Sequence, residues 1–318
     1  MKSFSLLVVF TLAVLVYALF DFFAPGPLEA PVTLLFERGQ GFQAMSASLE
    51  KSGVIRNKYL FEAEAVLLGS ARKFKAGEYE FSPSIPTSLV MDMIAQGRVV
   101  IHKITVPEGL TVREVTELLK AEPLLTGDVP EGIEEGELLP ETYHFTYGDK
   151  RADLIERMEA ARNKTLAELW EHRKEGLPYK DPEEAVTMAS IVEKETGVPQ
   201  ERGHVASVFI NRLRIGMKLQ TDPTVIYAIE HDKGEFGRAL TRDDLAYDSP
   251  YNTYKITGLP PGPIANPGRA AIEAVLNPPD TKDLYFVATG TGGHNFAATV
   301  AEHNANVRKY REQEKKNQ

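Results

Sequence analysis

AVTMASIVEKETG, residues 185–197, has the apolar spacing of a helix and carries an acidic residue into its own apolar stripe. At about 100° per residue, Met188, Ile191 and Val192 share one side and Glu195 falls beside them, while Lys194 points nearly opposite and Glu193 sits on the flank. A carboxylate on the packed side of a helix loses hydration unless it is paired, which moves its pKa toward the range of a general acid. Glu195 is therefore the first catalytic candidate. The competing reading of the same pattern is a glutamate at a frayed helix end that turns to water. Asp181-Pro182 supplies a fitting N-cap and first-turn pair, so the helix is expected to start there.

Around this helix the pattern is α+β. Upstream, Ala152–Gly176 has helical periodicity and ends at a glycine, with Pro178 just beyond. Downstream, Val205–Ile215 reads as a helix bringing Asn211 and Arg212 near Gly216, and Asp222-Pro223 repeats the cap chemistry before Thr224–Glu230. Tyr251–Tyr254 (YNTY) leads into Gly258–Gly268 (GLPPGPIANPG), whose four prolines and three glycines hold a loop stiffly in one shape. Leu284–Ala288 and His294–Ala298, joined across Gly290–Gly293, predict a hairpin, and Val300–Lys315 a charged closing helix. Residues 151–318 are taken as one domain. Residues 121–150, rich in Gly, Pro and acids from Leu124 onward, read as a linker or irregular rim holding the Tyr143–Tyr147 aromatics. Before them, Val32–Phe36, Phe42–Ser52, Lys58–Leu68 and Ala76–Phe81 read as strand, helix, helix, strand. A helix at Ser88–Gln96, a strand at Val99–Val106 and a helix at Val112–Leu119 complete a small α+β module over residues 32–120. It carries no clustered His, Asp or Ser, so it reads as a binding or positioning unit.

The first residues set the compartment. Phe4–Phe20 is an uncharged, almost wholly apolar run after Lys2, with Asp21 beyond it, at the short end of what spans a bilayer. Lys2 favours the cytoplasmic side for the N-terminus and the outside for the body. The rival is a cleaved signal peptide, but its apolar region would be shorter, and no convincing small-x-small site follows Phe20. The expectation is an uncleaved single-pass anchor over residues 1–23 in the cytoplasmic (inner) membrane, followed by a short proline-stiffened spacer over residues 24–31.

Composition removes other classes. The 318 residues leave room for two domains, and 36 Lys plus Arg against 45 Asp plus Glu, a net charge of −9, argue against a nucleic-acid or anionic-lipid footprint. The absence of cysteine excludes disulfides and Cys-based metal or nucleophile chemistry. The seven His residues offer no H-E-x-x-H spacing, and His294 and His303 read as surface or hydrogen-bonding residues. There is no G-x-S-x-G, and Ser190 with Lys194 one turn on is too weak a pairing to count. The glycine clusters lack nucleotide-binding contexts. No metal and no cofactor is expected, and acid–base chemistry by a carboxylate remains. Glycoside cleavage suits that remainder, and a two-carboxylate glycosidase needs a second acid about 5 to 9.5 Å away. Glu193, Glu201 and Asp222 are the available partners; Glu193 faces away, and Asp222 already has a structural job as a cap before Pro223.

MASIVEKET (188–196), VASVFINRLRIGMKLQTDPTVIYAI (205–229), YNTYKITGLPPGPIANPG (251–268) and DLYFVATGTGGHNF (283–296) together resemble the YceG-like family of endolytic murein transglycosylases. The likeness is dense from Leu177 onward and looser over the anchor and N-terminal module. In lytic transglycosylases the essential Glu is followed by a hydroxyl residue, a place that Glu195-Thr196 fits and Glu193 does not. The resemblance implies an α+β fold with a membrane helix, a LysM-like module from about Val32 to Phe81 that holds glycan, and a lytic-transglycosylase-like catalytic domain. It implies that Glu195 protonates the oxygen between N-acetylmuramic acid and N-acetylglucosamine and then, as carboxylate, takes the proton of the muramyl C6 hydroxyl as that oxygen closes onto C1. The product is a 1,6-anhydromuramyl end, no water is consumed, and one acid suffices. Gln220, Thr221 and Asp222 would line the groove beside Glu195, with Asn252 and Tyr254 adding hydrogen bonds and a sugar-stacking face. For the polar residues the alternative is helix capping or loop self-bonding, and for Tyr254 core packing. Implied partners are peptidoglycan glycan strands, the cytoplasmic membrane and peptidoglycan synthases. Two other functions stay open: a non-catalytic glycan-binding envelope scaffold, and a muramidase that uses water with Asp222 as partner.

Overall fold

The structure, a computed structural model, describes residues 2–317, with side chains from Leu6 to Lys315; Met1 and the Lys2 side chain, which the anchor reading includes, lie outside the described residues. The chain is mixed α+β and divides into two compact units, residues 1–103 with 124–126 and 144–149, and residues 104–123, 127–143 and 150–318. This division leaves the residue 120 and 150 boundaries: the helix after Thr111 and most of the rim belong with the second unit.

In the first unit, α1 (Lys2–Phe23) precedes β1 (Val32–Phe36), α2 (Phe42–Lys51), α3 (Lys58–Leu67), β2 (Gly77–Phe81) and α4 (Thr87–Gln96). β1 and β2 pair antiparallel, Val32 opposite Phe81 and Phe36 opposite Gly77. The inward residues of this ribbon, Phe36, Tyr79 and Phe81, meet Leu49 of α2, Phe61 of α3 and Ile94 of α4 in one closed apolar core. Asn57 starts α3 by accepting hydrogen bonds from the Tyr59 and Leu60 N–H groups, and Gly97 ends α4 in the left-handed region. The expected proline-stiffened spacer is fastened to the first unit. The Gly26 N–H donates to the Ser84 carbonyl (3.0 Å), the Ser84 N–H donates to that of Leu28 (2.8 Å), and Leu28 is buried. A Cβ on Gly26 would stand 2.1 Å from the Ile85 carbonyl oxygen, so only glycine allows this approach.

The second strand pair is β3 (His102–Thr105) with β4 (Thr142–Phe145), separated by α5 (Val112–Ala121). β3 is shorter than the expected Val99–Val106, and β4 lies where a linker or rim was expected. Tyr143 and Phe145 alternate inward along it, and the Tyr143 hydroxyl donates to the Leu139 carbonyl at 2.7 Å. Then follow α6 (Arg151–Glu171), α7 (Pro182–Glu195), α8 (Arg202–Arg214), α9 (Asp222–Lys233), α10 (Arg269–Leu276), the antiparallel hairpin of β5 (Tyr285–Ala288) and β6 (His294–Ala297), and α11 (Val300–Asn317). α7 is the centre of the second core. Every residue from Ala185 to Val192 is buried, against Val205 and Phe209 of α8 and Ile272 and Val275 of α10. The helix is therefore enclosed on all sides and not on one stripe alone, and α10, which periodicity did not single out, supplies part of the enclosure. Asp181 caps α7 through the Glu184 N–H at 2.9 Å, with Pro182 in its first turn, as the sequence predicts.

Candidate active site

α7 delivers Glu195 to the rim of its own core. The helix stops there because Thr196 turns to extended backbone and its hydroxyl accepts from the Val198 N–H at 3.0 Å. The Glu195 carboxylate accepts a hydrogen bond from the Thr221 hydroxyl, its one side-chain donor among the described residues. Burial pushes its pKa above the usual carboxylate range; the Thr221 bond opposes that shift, the charge of Asp222 adds to it, and His294 and Arg212 oppose it. A frayed glutamate turned to water is not what the fold makes of this residue.

Thr221 is itself held by a buried hydroxyl network. Its N–H donates to Thr253 Oγ1 (3.0 Å), Thr224 Oγ1 donates to the Thr221 carbonyl (2.7 Å), and Thr224 and Thr253 share a hydrogen bond of 2.8 Å. Just before it, Gln220 adopts the left-handed region at φ 51, where a side chain costs about 1–3 kcal/mol, and its own side chain is exposed. Strain of that kind is kept where surrounding structure over-determines it, and the Gln220 N–H is tied to the Thr253 carbonyl at 3.3 Å.

Asp222 corrects an expectation. It is the first residue of α9 but caps nothing with its side chain; it is exposed and accepts the Tyr254 hydroxyl at 2.5 Å. Tyr254 is only partly buried, and burial with the Asp222 contact raises its pKa. Asn252 is fully enclosed, its amide spent on the Leu245 (3.1 Å) and Tyr247 (2.7 Å) carbonyls and its oxygen on the Tyr254 N–H (2.9 Å), so it shapes the loop that carries Tyr254. The structure thus brings Glu195, Thr221, Asp222 and Tyr254 together, while Gln220 and Asn252 adjoin them through backbone and loop.

Glu193 and Glu201 are engaged elsewhere. Glu193 accepts Arg202 at 3.1 Å and the Gly268 N–H at 2.9 Å, clamping α7, α8 and the proline-rich loop. Glu201 accepts the His294 backbone N–H at 3.0 Å and meets His294 Nδ1 at 2.8 Å, holding the hairpin. The loop is pinned a second time by Asn266, which accepts the Gly136 and Leu138 N–H groups and donates to the Leu110 carbonyl. Ser190 accepts the Ile264 N–H at 3.0 Å, and Lys194 reaches the Gly109 carbonyl at 3.2 Å, so the two make no Ser–Lys pair.

Arg212 was named in the sequence only as lying near a glycine. It is buried, donating to the Leu219 (2.5 Å) and Leu284 (2.7 Å) carbonyls, and its guanidinium lies 5.4 Å from the Tyr285 ring centre. It places a fixed positive charge whose field reaches Glu195. No spacing rule marks such a residue, because its partners are backbone carbonyls, one of them 72 positions away. Among the described residues no group of three His, Cys, Asp or Glu could hold a metal.

The profile of the YceG-like family matches residues 34–309. The chain belongs to the YceG-like family. It is 32% identical over 314 residues to the endolytic murein transglycosylase of Bacillus subtilis strain 168, across 89% of this chain and 85% of that protein. To the endolytic murein transglycosylase of Streptococcus pneumoniae D39 it is 30% identical over 325 residues, across 87% of this chain and 58% of that longer protein. A crystal structure of a putative YceG-like protein from Listeria monocytogenes is 32% identical and superposes with a TM-score of 0.53, across 87% of this chain and 99% of that one. The second core and every residue of the Glu195 site lie within the family match.

Proposed function

We propose that this YceG-like protein is a membrane-anchored endolytic peptidoglycan lytic transglycosylase with Glu195 as its acid and base. The observation that carries the reading is a carboxyl at the end of a helix enclosed from Ala185 to Val192, its pKa raised by burial and its orientation set by Thr221. The relatives' names supply the substrate class, and the site supplies the chemistry. Protonated Glu195 donates to the glycosidic oxygen between N-acetylmuramic acid and N-acetylglucosamine as the C1–O bond breaks. The muramyl C6 oxygen closes onto C1, and its proton passes to the Glu195 carboxylate, restoring the acid and leaving a 1,6-anhydro end. Tyr254 offers a partly exposed ring and Asp222 an exposed carboxylate to the sugars beside that bond. The apolar helix α1 is the single-pass anchor, with Lys2 on the cytoplasmic side. The first unit is the part that holds glycan, peptidoglycan synthases are the partners, and termination of glycan elongation is the role.

A second reading is favoured by the position of Asp222, which is free of capping and close enough to Glu195 to raise its pKa. Two acids so placed could cleave the same bond with water. Mass spectrometry of the ends released from purified, uncrosslinked glycan strands separates the two. Ends lighter by one water than the hydrolytic product support the lytic mechanism, and ends that retain the water move the assignment to the Glu195–Asp222 pair. If Glu195→Gln still released anhydro ends, Glu195 would not be the acid.

A further inference from the structure

We propose that the C-terminal end of α3, Val66–Leu68, sits in the headgroup layer of the bilayer that α1 crosses, giving the first unit a second membrane contact beside the anchor. This rests on reading α1 as the anchor. α1 runs from Lys2 to Phe23, 22 residues, and its stretch from Leu6 to Phe23 has mean hydropathy 2.5. At 1.5 Å per residue the whole helix is about 33 Å long, little more than the roughly 30 Å of hydrocarbon it must cross. Less than one turn is left over for an aqueous stalk. Whatever packs against its last turn lies at headgroup depth.

The first unit packs there. Asp21 is buried and paired with Arg56 at 3.0 Å, Arg56 also donates to the Pro25 carbonyl at 2.5 Å, and Phe22 packs on the first core. Glu64 of α3 is near enough to Asp21 for that charge to raise its pKa. One turn past Glu64, Val66, Leu67 and Leu68 are 67%, 86% and 56% exposed, a run of large apolar side chains at the end of one helix. Isolated exposed apolar residues need no explanation, whereas three in a row at the end of a helix whose Glu64 feels the charge of Asp21 call for one. Arg72 and Lys73 follow on the connecting segment, both exposed. An apolar tip with a basic border matches an anionic phospholipid surface, acyl boundary for the leucines and phosphate for the cations. The net charge of −9 belongs to the whole chain and does not set the potential at this tip. Glu64, the acid nearest the tip, has both carboxylate oxygens buried without a hydrogen-bond partner, and burial first, then Asp21, pushes its pKa up to about 7. Near neutral pH it is therefore about half protonated, so its negative charge toward the headgroups is reduced.

The absence of cysteine makes the test clean. Full-length Leu67→Cys, labelled with an environment-sensitive nitrobenzoxadiazole dye, is reconstituted into vesicles of phosphatidylethanolamine and phosphatidylglycerol. Asp280→Cys, whose native side chain is 93% exposed, is the aqueous reference. The expected result is co-flotation with the vesicles, blue-shifted emission at position 67 only, and several-fold stronger quenching there by shallow doxyl lipids than at the reference. Flotation with water-like emission at position 67 would overturn the proposal while leaving the anchor intact. Blue-shifted emission that doxyl lipids do not quench would overturn it in favour of a protein contact. Failure to float would overturn the anchor reading and this proposal with it.

Discussion

Glu193 and Glu195 lie two residues apart at the end of one helix, and burial raises the pKa of both, so titration alone does not tell them apart. Geometry does. Glu193 gives its oxygens to Arg202 and the Gly268 N–H, whereas Glu195 accepts a single side-chain hydroxyl among the described residues. Glu195→Gln is expected to lower strand cleavage at least a hundredfold, within the roughly 10²–10⁴ range of a general acid, as measured by release of soluble muropeptides. The same change removes a carboxyl whose folded pKa stands above its unfolded value. Such a group favours the fold below the ordinary glutamate range and loses that contribution as pH rises through the raised value. The Gln protein should therefore match the wild type at acid pH and melt no lower, and if anything higher, at neutral pH. Thr221→Val deletes the bond that holds the pKa down, so the alkaline limb of kcat/KM should move to higher pH. An unmoved limb in a pH-rate profile would show that Thr221 does not tune the acid.

Elements, more than single contacts, give the site its precision. α7 is started by Asp181, enclosed by α8 and α10, and ended by Thr196, so Glu195 is carried on a rigid support. Asp181→Ala is expected to cost about 1 kcal/mol in urea unfolding, the usual figure for a lost N-cap. Glu193→Ala is a harsher change, because it leaves Arg202, 10% exposed, without its nearer carboxylate and the Gly268 N–H without an acceptor. About 3–5 kcal/mol is expected, with soluble activity falling only as far as the folded fraction does at the assay temperature. A loss of turnover in fully folded Glu193→Ala would mean that this residue takes part in chemistry. The start of α7 was legible in the sequence because caps act within three or four residues, as Asp181 before Pro182 does, whereas the same pair at Asp222-Pro223 opens α9 without a side-chain cap. β4 was not legible. Its four residues sit in a stretch of Gly, Pro and acids, and a strand of that length is defined by the partner it pairs with and not by its own composition.

At the scale of the whole molecule there are two cores, one in each unit, and α1 is joined to the first by packing as well as by the chain. A soluble fragment starting at Phe20 keeps the Asp21–Arg56 pair and the Phe22 contact, while one starting at Ala24 loses both. The first should be more stable by roughly 1–2 kcal/mol, below the figure for a fully buried aromatic because Phe22 is half-covered. Equal denaturation midpoints for the two fragments would mean that the last turn of α1 is only a tether.

The sequence by itself determined the α+β class, the apolar first helix and the start of α7 at Asp181-Pro182, and it singled out Glu195 as the candidate acid, because periodicity, capping and the side of a helix on which a residue falls are local properties. Only the tertiary structure decided that Thr221 meets Glu195 across 26 positions, that Asp222 serves Tyr254 and not a helix cap, that Arg212 brings its charge to the site, and that the spacer is fastened to the first unit. Each of these depends on which groups from elsewhere in the chain the fold brings within reach. Hydrogen bonding and burial, unlike helical period, are satisfied by whatever partner lies nearest in space.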